Sequence, residues 1–326
     1  MILVTGASGF LGQHLLNQLV KENVPIRALY HSNAPNSTLQ QLPNVTWMQC
    51  DLLDVFEVEL AFQNVSEVYH CAAKVSFESE DQYSIQKINA ESTANVVNAA
   101  IEANVRKLIH VSSIATLGRA NIDKPLSEDS FWEESKNNTA YARSKYLSEM
   151  EVWRGMAEGL NAAIINPAII LGAGNWDEGS ARLLKVADGE FPFYTEGVNG
   201  WVAVNDTVRA MILLMKSDIS EERFILSEGN HSYKEIFTLM ANALGKKPPH
   251  IKAPRWATGL LWRWNWAKKL FTGKSATVTK ETTRTAQVKC YYDNSKFLKT
   301  FPDFRYTAIE NTIAEMATVY KNSNKK

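Results

Sequence analysis

The chain has 326 residues, 45% hydrophobic and 21% charged, and its 35 basic and 35 acidic side chains cancel to a formal net charge of zero. This is the composition of a soluble globular protein, long enough for one large α/β domain with an appended lobe, and nothing in the charge balance suggests a nucleic-acid partner, which needs a basic surface. Three cysteines far apart, Cys50, Cys71 and Cys290, argue against a disulfide framework and a zinc site, and Cys50 and Cys71 read as buried free thiols.

The first residues, Met1-Ile2-Leu3-Val4-Thr5-Gly6, carry no basic n-region and no small-residue cleavage site. No apolar stretch reaches the ~20 residues that span a bilayer, so a cytoplasmic protein without a transmembrane segment is expected. Residues 2–4 read as a strand, and Leu11, Leu15, Leu16 and Leu19 then fall on one helical face. Further apolar runs at 26–30, 45–50, 68–72, 108–111 and 163–165 read as strands, with helices over 90–103 and 141–156. This βαβα order predicts an α/β fold with a parallel, doubly wound sheet. After Pro167 the alternation breaks down. Gly172-Ala173-Gly174 and Asp188-Gly189 mark loops, and residues 201–204 read as a strand leading into a helix with Asp206 as its N-cap. Beyond Gly229 the chain reads as helical with turns at Pro248-Pro249 and Pro254, and the tail after Tyr320 reads as disordered.

The strongest local signal is Thr5-Gly6-Ala7-Ser8-Gly9-Phe10-Leu11-Gly12, directly after a strand and before a helix. Glycines there let the backbone turn tightly and approach a pyrophosphate seated on the helix N-terminus, the arrangement of a Rossmann dinucleotide-binding domain. Gly6, Ser8, Gly9, Phe10, Leu11 and Gly12 are the expected contacts. An enzyme that uses NAD often has an acid about 20 residues further on to hold the ribose hydroxyl. That place falls near Tyr30, and no acid lies between Glu22 and Asp51. A carboxylate would repel a 2′-phosphate, so NADP is favoured over NAD, with His31 beside the phosphate. Asp51 reads either as a contact to the adenine amino group or as a simple loop cap. The domain is expected over 1–166, with 200–226 returning to it, and a smaller substrate-binding lobe over 167–199 and 227–326.

Tyr-x-x-x-Lys occurs at Tyr83/Lys87, Tyr141/Lys145 and Tyr292/Lys296, so position must choose between them. Only Tyr141 begins a helix shortly after a strand that ends in hydroxyls, Ser112-Ser113. Tyr83/Lys87 precedes that strand, and Tyr292/Lys296 reads as a polar surface pair in the distal lobe. Residues i and i+4 share a helix face, so Lys145 stands beside Tyr141. A free phenol titrates near 10, and a neighbouring ammonium favours its charged form. Tyr141 can then exchange a proton with a substrate oxygen while a serine hydroxyl polarises that oxygen.

These motifs together resemble the extended short-chain dehydrogenase/reductase family, almost end to end. The glycine turn resembles that family's own, and His70-Cys71-Ala72-Ala73 its motif after the fourth strand. Asn89-Ala90-Glu91-Ser92-Thr93 resembles its NxxxT helix start, and the segment from Val111 to Gly118 its SSxxxxG run, in which Ser113 is the better match and Ser112 the second. Tyr141-Ala142-Arg143-Ser144-Lys145 resembles its catalytic pair. Asn166-Pro167-Ala168-Ile169-Ile170-Leu171-Gly172 is similar to its segment beside the nicotinamide, and Val202 to Asp206 to its VxVxD strand. The resemblance implies a catalytic set of Ser113, Tyr141 and Lys145, with Lys145 also holding the ribose. It extends the cofactor contacts to Leu52, Ala72, Ala73, Lys74, Asn89, Val111, Tyr141, Lys145, Pro167, Ile169 and Ile170. The dihydroflavonol reductase and 3β-hydroxysteroid dehydrogenase branch is most similar, although it usually has arginine where His31 stands. The resemblance also implies a homodimer formed through the helices that start near Asn89 and Tyr141.

The implied function is hydride transfer, with NADP or NAD, at a carbonyl or secondary alcohol of a fairly apolar small molecule. One alternative is a nucleotide-sugar epimerase or dehydratase with tightly bound NAD. Another, of a different class, is a non-catalytic NADP-sensing or scaffold protein. The aromatic and basic stretch 256–271 reads as a lobe helix, with peripheral membrane contact as its alternative. His14, His70, His110, His231 and His250 show no metal-ligand spacing, and no metal is expected.

Overall fold

In a computed structural model of the chain, the described residues are 1–75, 82–118, 124–135, 138–253 and 285–323. Pro254 and the stretch 256–271 lie outside them. In chain order the first elements are β1 Ile2–Thr5, α1 Phe10–Leu19, β2 Ile26–Tyr30, α2 Ser37–Gln40, β3 Val45–Gln49, α3 Val55–Ala61, β4 Glu67–His70, α4 Gln82–Glu102, β5 Lys107–Val111, α5 Ala140–Ala157 and β6 Ala162–Pro167. Then come β7 Ile169–Leu171, α6 Arg182–Asp188, β8 Phe193–Tyr194, β9 Val198–Ala203, α7 Val204–Lys216, β10 Glu222–Leu226, β11 Gly229–Ser232, α8 Tyr233–Leu244 and β12 Ile251–Lys252. Two helices close the described chain, α9 Ser295–Thr300 and α10 Ile309–Ser323.

Seven strands form one sheet in the order β10-β6-β5-β4-β1-β2-β3, and every neighbouring pair runs parallel. A parallel sheet is covered on both faces, so its strands read as continuous apolar runs. The strand period of two sends alternate residues to opposite layers. Leu3, Val68, Leu108 and Ile164 pack with Val58 of α3, Val96 and Val97 of α4 and Val152 of α5. Their neighbours Val4, Tyr69, Ile109 and Ile165 pack with Leu15 and Leu16 of α1 and Met211 and Leu214 of α7.

The helix-to-strand returns share a device. Asn23, Asn44, Asn64 and Asn104 all have positive φ (56°, 58°, 62° and 48°), and each stands just before one of β2 to β5. Asparagine tolerates the left-handed conformation because its short side chain bonds locally. Gly159 does the same work before β6, and Glu221, at φ 57°, does it before β10.

Among the described residues, a second, three-stranded sheet, β11-β9-β7, and a small pair, β12-β8, complete the strands. Trp201 of β9 and Leu171 of β7 pack there against Ile236 and Met240 of α8 and Ile313 and Met316 of α10.

Several elements differ from the sequence reading. Helix α4 begins at Gln82 rather than at 90, because its first turns bury single apolar groups such as Ile85 among polar neighbours. Asp206 is not an N-cap. Ala203 occupies that position without a side-chain bond, and Asp206 is buried inside the first turn of α7. It accepts there from Thr307 N and Arg209 Nη2, both at 2.6 Å, and so ties the chain's last third to the main sheet. Gly229–Ser232 is a strand rather than helix. Helix α10 runs through Ser323 and is not a loose tail, because Tyr320 is buried and its hydroxyl bonds Asp188. The pair Tyr292/Lys296 is not a polar surface pair. Tyr292 is buried, and Lys296 bonds Glu222 of β10, which brings Phe297 of α9 against Phe224 and the main core. Cys50 is buried as expected, whereas Cys71 is only half-buried.

Candidate active site

The carboxyl ends of the main strands converge on the first turn. Gly6 has φ +63°, and a Cβ there would stand 2.7 Å from Ala72 N and Cα, so only glycine lets β1 leave the sheet beside the end of β4. At Gly12 a Cβ would run into Gly6 O and lie 2.7 Å from Ala7 Cα. Helix α1 starts after the exposed Gly9, with no side-chain cap and no acid in its first turn. Its first amides and the positive end of its dipole therefore suit an anion. Phe10 and His14 brace the far side. The Phe10 ring packs under Gly172 and Gly174, and His14 Nε2 lies 2.9 Å from Ala173 O. This cradle fits a dinucleotide pyrophosphate. Ser8 is half-buried, with its carbonyl accepting from Gln13, and Leu11 is also half-buried.

At the ends of β2 and β3, His31 Nε2 lies 3.9 Å from Asp51 Oδ2, with 70% and 47% of the two side chains exposed. Asp51 Oδ1 also accepts from Leu53 N, the loop-cap geometry. Leu52 is half-buried, and its carbonyl accepts from Asn95 of α4. Arg27 is turned away and donates to Ala61 O and Gln63 O.

Helix α5 carries Tyr141 and Lys145 against the end of β5. Its N-cap is Thr139, whose hydroxyl accepts from Ala142 N, so the helix starts one residue before the tyrosine. Ser113 follows β5 and caps a short 3-10 turn, Ile114–Leu117, by accepting from Ala115 N. Its hydroxyl also bonds Tyr141, whose phenol burial pushes above its ordinary value while that bond pulls it back. Lys145 is buried and donates to Val111 O at 2.7 Å. Burial lowers its ammonium to about 8, against the opposing pull of Glu149 and Cys71. Ser113, Tyr141 and Lys145 are thus brought together beside the glycine turn. Tyr83, by contrast, is 80% exposed, and Lys87 pairs with Glu91.

Pro167, at the end of β6, is buried, and Ile169 and Ile170 on β7 are half-buried, while Ala73 and Lys74 are exposed and Ala72 is half-buried. The Asn89 amide is buried and is spent on Lys74 N, Lys74 O and Ser144 Oγ at 2.8, 2.9 and 3.0 Å. It shapes the loop after β4 and ties it to α5. His70 is likewise structural. It lies between Thr5 Oγ1 at 2.7 Å and Thr93 Oγ1 at 3.1 Å, and burial, with Lys145 nearby, lowers its pKa to about 3.

Sequence reasoning missed a buried polar centre behind the hydroxyls. Glu149 Oε2 lies 2.5 Å from Ser112 Oγ, 2.8 Å from Thr116 Oγ1 and 2.8 Å from Asn166 Nδ2. Its Oε1 accepts from Arg223 Nη1 at 2.9 Å and from Trp153 Nε1 at 3.4 Å. Arg223 also donates to Glu128 O and Ser130 O. The one signal in the sequence is spacing: Glu149 is four residues after Lys145, on the same helix face.

The family model for the NAD dependent epimerase/dehydratase family matches residues 2–226. The chain is 28% identical over 258 residues to the sterol demethylase protein B of Methylococcus capsulatus, covering 77% of each chain. It is 27% identical over 246 residues to the cinnamoyl-CoA reductase 1 of Petunia hybrida, covering 70% of this chain and 72% of that one. Among solved structures, that of gox2253 superposes with a TM-score of 0.83 at 26% identity, over 99% of this chain and 98% of the other.

Proposed function

The chain belongs to the NAD dependent epimerase/dehydratase family, and we propose that within it this enzyme is a reductase or dehydrogenase. It exchanges hydride between freely exchanging NADP(H) and the carbonyl or secondary alcohol of a fairly apolar small molecule. The observation that carries this reading is the hydrogen-bonded pair of Ser113 and Tyr141 hydroxyls, one helical turn from the buried Lys145 ammonium and beside the glycine turn.

The glycine turn from Gly6 to Gly12, with Ala72 behind it, would hold the pyrophosphate, and the ends of β2 and β3 the adenosine. When bound, the nicotinamide supplies or accepts the hydride. Burial keeps Tyr141 protonated at neutral pH, and the Ser113 hydrogen bond, which favours the phenolate, eases release of that proton to a carbonyl oxygen. Ser113 donates to the same oxygen as charge develops on it. Lys145, charged below about 8, steadies the phenol's negative charge and would hold a ribose hydroxyl. Reduction needs both protons in place, so its rate falls as pH rises through the Lys145 value of about 8. NADP is favoured in this reading because β2 itself ends without an acid; the carboxylate that reaches this edge, Asp51 after β3, lies 3.9 Å from His31, whose imidazole can meet a 2′-phosphate. The same reading divides the chain into a cofactor domain, 1–166 with 200–226, and a substrate lobe, 167–199 and 227–326, and takes the protein to be a homodimer.

The test is net turnover of NADPH with a panel of apolar ketones and aldehydes. Tyr141→Phe should lower kcat by about 10²–10⁴-fold, the range for a general acid, with a far smaller change in cofactor affinity. Full activity in that variant would remove Tyr141 from the chemistry.

A further inference from the structure

Glu149 has no exposed surface, and an isolated carboxylate cannot be buried without heavy compensation. Its compensation is gathered from Ser112 after β5, Thr116 in the 3-10 turn, Asn166 on β6, Trp153 on its own helix and Arg223 on β10. Two of these partners also hold Ser113. Asn166 Nδ2 lies 3.1 Å from Ser113 O, and Thr116 Oγ1 lies 2.9 Å from it, its single proton shared with Glu149. On α5, Glu149 is four residues beyond Lys145 and eight beyond Tyr141, so one stripe of the helix carries all three.

Resting on the roles given above to Ser113, Tyr141 and Lys145, we propose that Glu149 is the positioning residue of this site. Its carboxylate locks the turn bearing Ser113 to the helix face bearing Tyr141 and Lys145. It also sets the charge there. Lys145 is faced by Val111 O from β5, by Cys71 after β4, by the buried His70 and His110 from β4 and β5, and by Tyr141 and Glu149 from its own helix. Arg223 stands behind Glu149 from β10. Among these the Glu149 carboxylate is the largest influence holding the ammonium up against burial.

Glu149→Gln keeps the shape and removes the charge. In that variant kcat for carbonyl reduction should fall by about 10²-fold, as for an ångström-scale misplacement. Cofactor affinity should be unchanged, and the alkaline limb of the pH profile should move to lower pH. Glu149→Asp should return the limb towards its original position. A folded Gln variant with native kcat and an unmoved limb would overturn the proposal. If the Gln variant does not fold, Thr116→Val serves: kcat should fall with the limb in place, and an unchanged kcat would count against Glu149. A second readout is independent of turnover. In cofactor-free, lysine-labelled protein, the Lys145 ammonium, assigned with Lys145→Arg, is titrated by NMR, and its midpoint should be lower in Glu149→Gln. An unmoved midpoint refutes the charge role. A moved midpoint in a protein that reduces no carbonyl would fault the proposed function and leave Glu149 in place.

Discussion

At the carboxyl edge of the main sheet, the ends of β5 and β6 are dry and the ends of β2 and β3 are wet. Behind Ser113, the groups Lys145, Glu149 and Asn166 are 3%, 0% and 0% exposed, and each has partners inside the protein. At the other end, His31 and Asp51 meet across 3.9 Å with most of the imidazole in water. In the dry half, removing one partner strands a buried polar group, which costs several kcal/mol. In the wet half an ion pair is screened and contributes at most about 1 kcal/mol. The groups around Ser113 are therefore rigidly held, while those at the ends of β2 and β3, to which the proposal assigns the choice of cofactor, are replaceable surface groups.

Acid should expose this difference most strongly. Burial holds His70 near 3 when folded, while an unfolded histidine titrates near 6.5. Between those values the unfolded chain binds more protons, so stability rises with pH and is lost on acidification from 6.5 towards 3. The expected loss is of order 5 kcal/mol from His70 alone. The buried His110, lowered by the same cause and with no hydrogen-bond partner for either ring nitrogen among the described residues, adds to it. Urea titrations at stepped pH measure the slope, and a flat profile over that window would mean that the dry half is wet. Next in size is Arg223→Met, which leaves Glu149 without its cation and should lower stability by about 3–5 kcal/mol in denaturant titration. At the wet end, His31→Ala should leave stability unchanged and weaken NADPH, but not NADH, by less than about tenfold, an effect that fades with salt. A larger loss, or an equal loss for both cofactors, would remove His31 from the phosphate site. The smallest change sharpens the fold instead. Glu221→Asn, at the one return before a main strand where neither Asn nor Gly supplies the positive φ, should raise stability by about 0.5–1 kcal/mol, seen as a higher Tm.

The same contrast explains what could be read from the sequence. The glycine turn and Tyr141/Lys145 are local patterns, each confined to one turn or one helix face, and the strand runs are apolar on both faces. The alternating order of those runs was enough to anticipate the doubly wound sheet. Contacts between distant segments were not legible. Glu149 meets Arg223 from 74 residues away, and Asp206 meets Thr307 from 101 away. Asn89 matches a motif, but only the fold reveals that its amide is spent on Lys74 and Ser144. Strand β10 lay hidden because its first residues, Glu222 and Arg223, break the apolar run, and α9 because its one fully buried side chain, Phe297, sits among polar neighbours.

The most direct test of an exchangeable NADP(H) oxidoreductase is to titrate the purified protein with NADPH, NADP, NADH and NAD, after assaying it for any nucleotide already bound. Protein free of nucleotide, binding NADPH selectively and reversibly, is the result expected. Tightly retained NAD that does not exchange would contradict it and point to an epimerase or dehydratase, in which the cofactor is reduced and reoxidised without leaving.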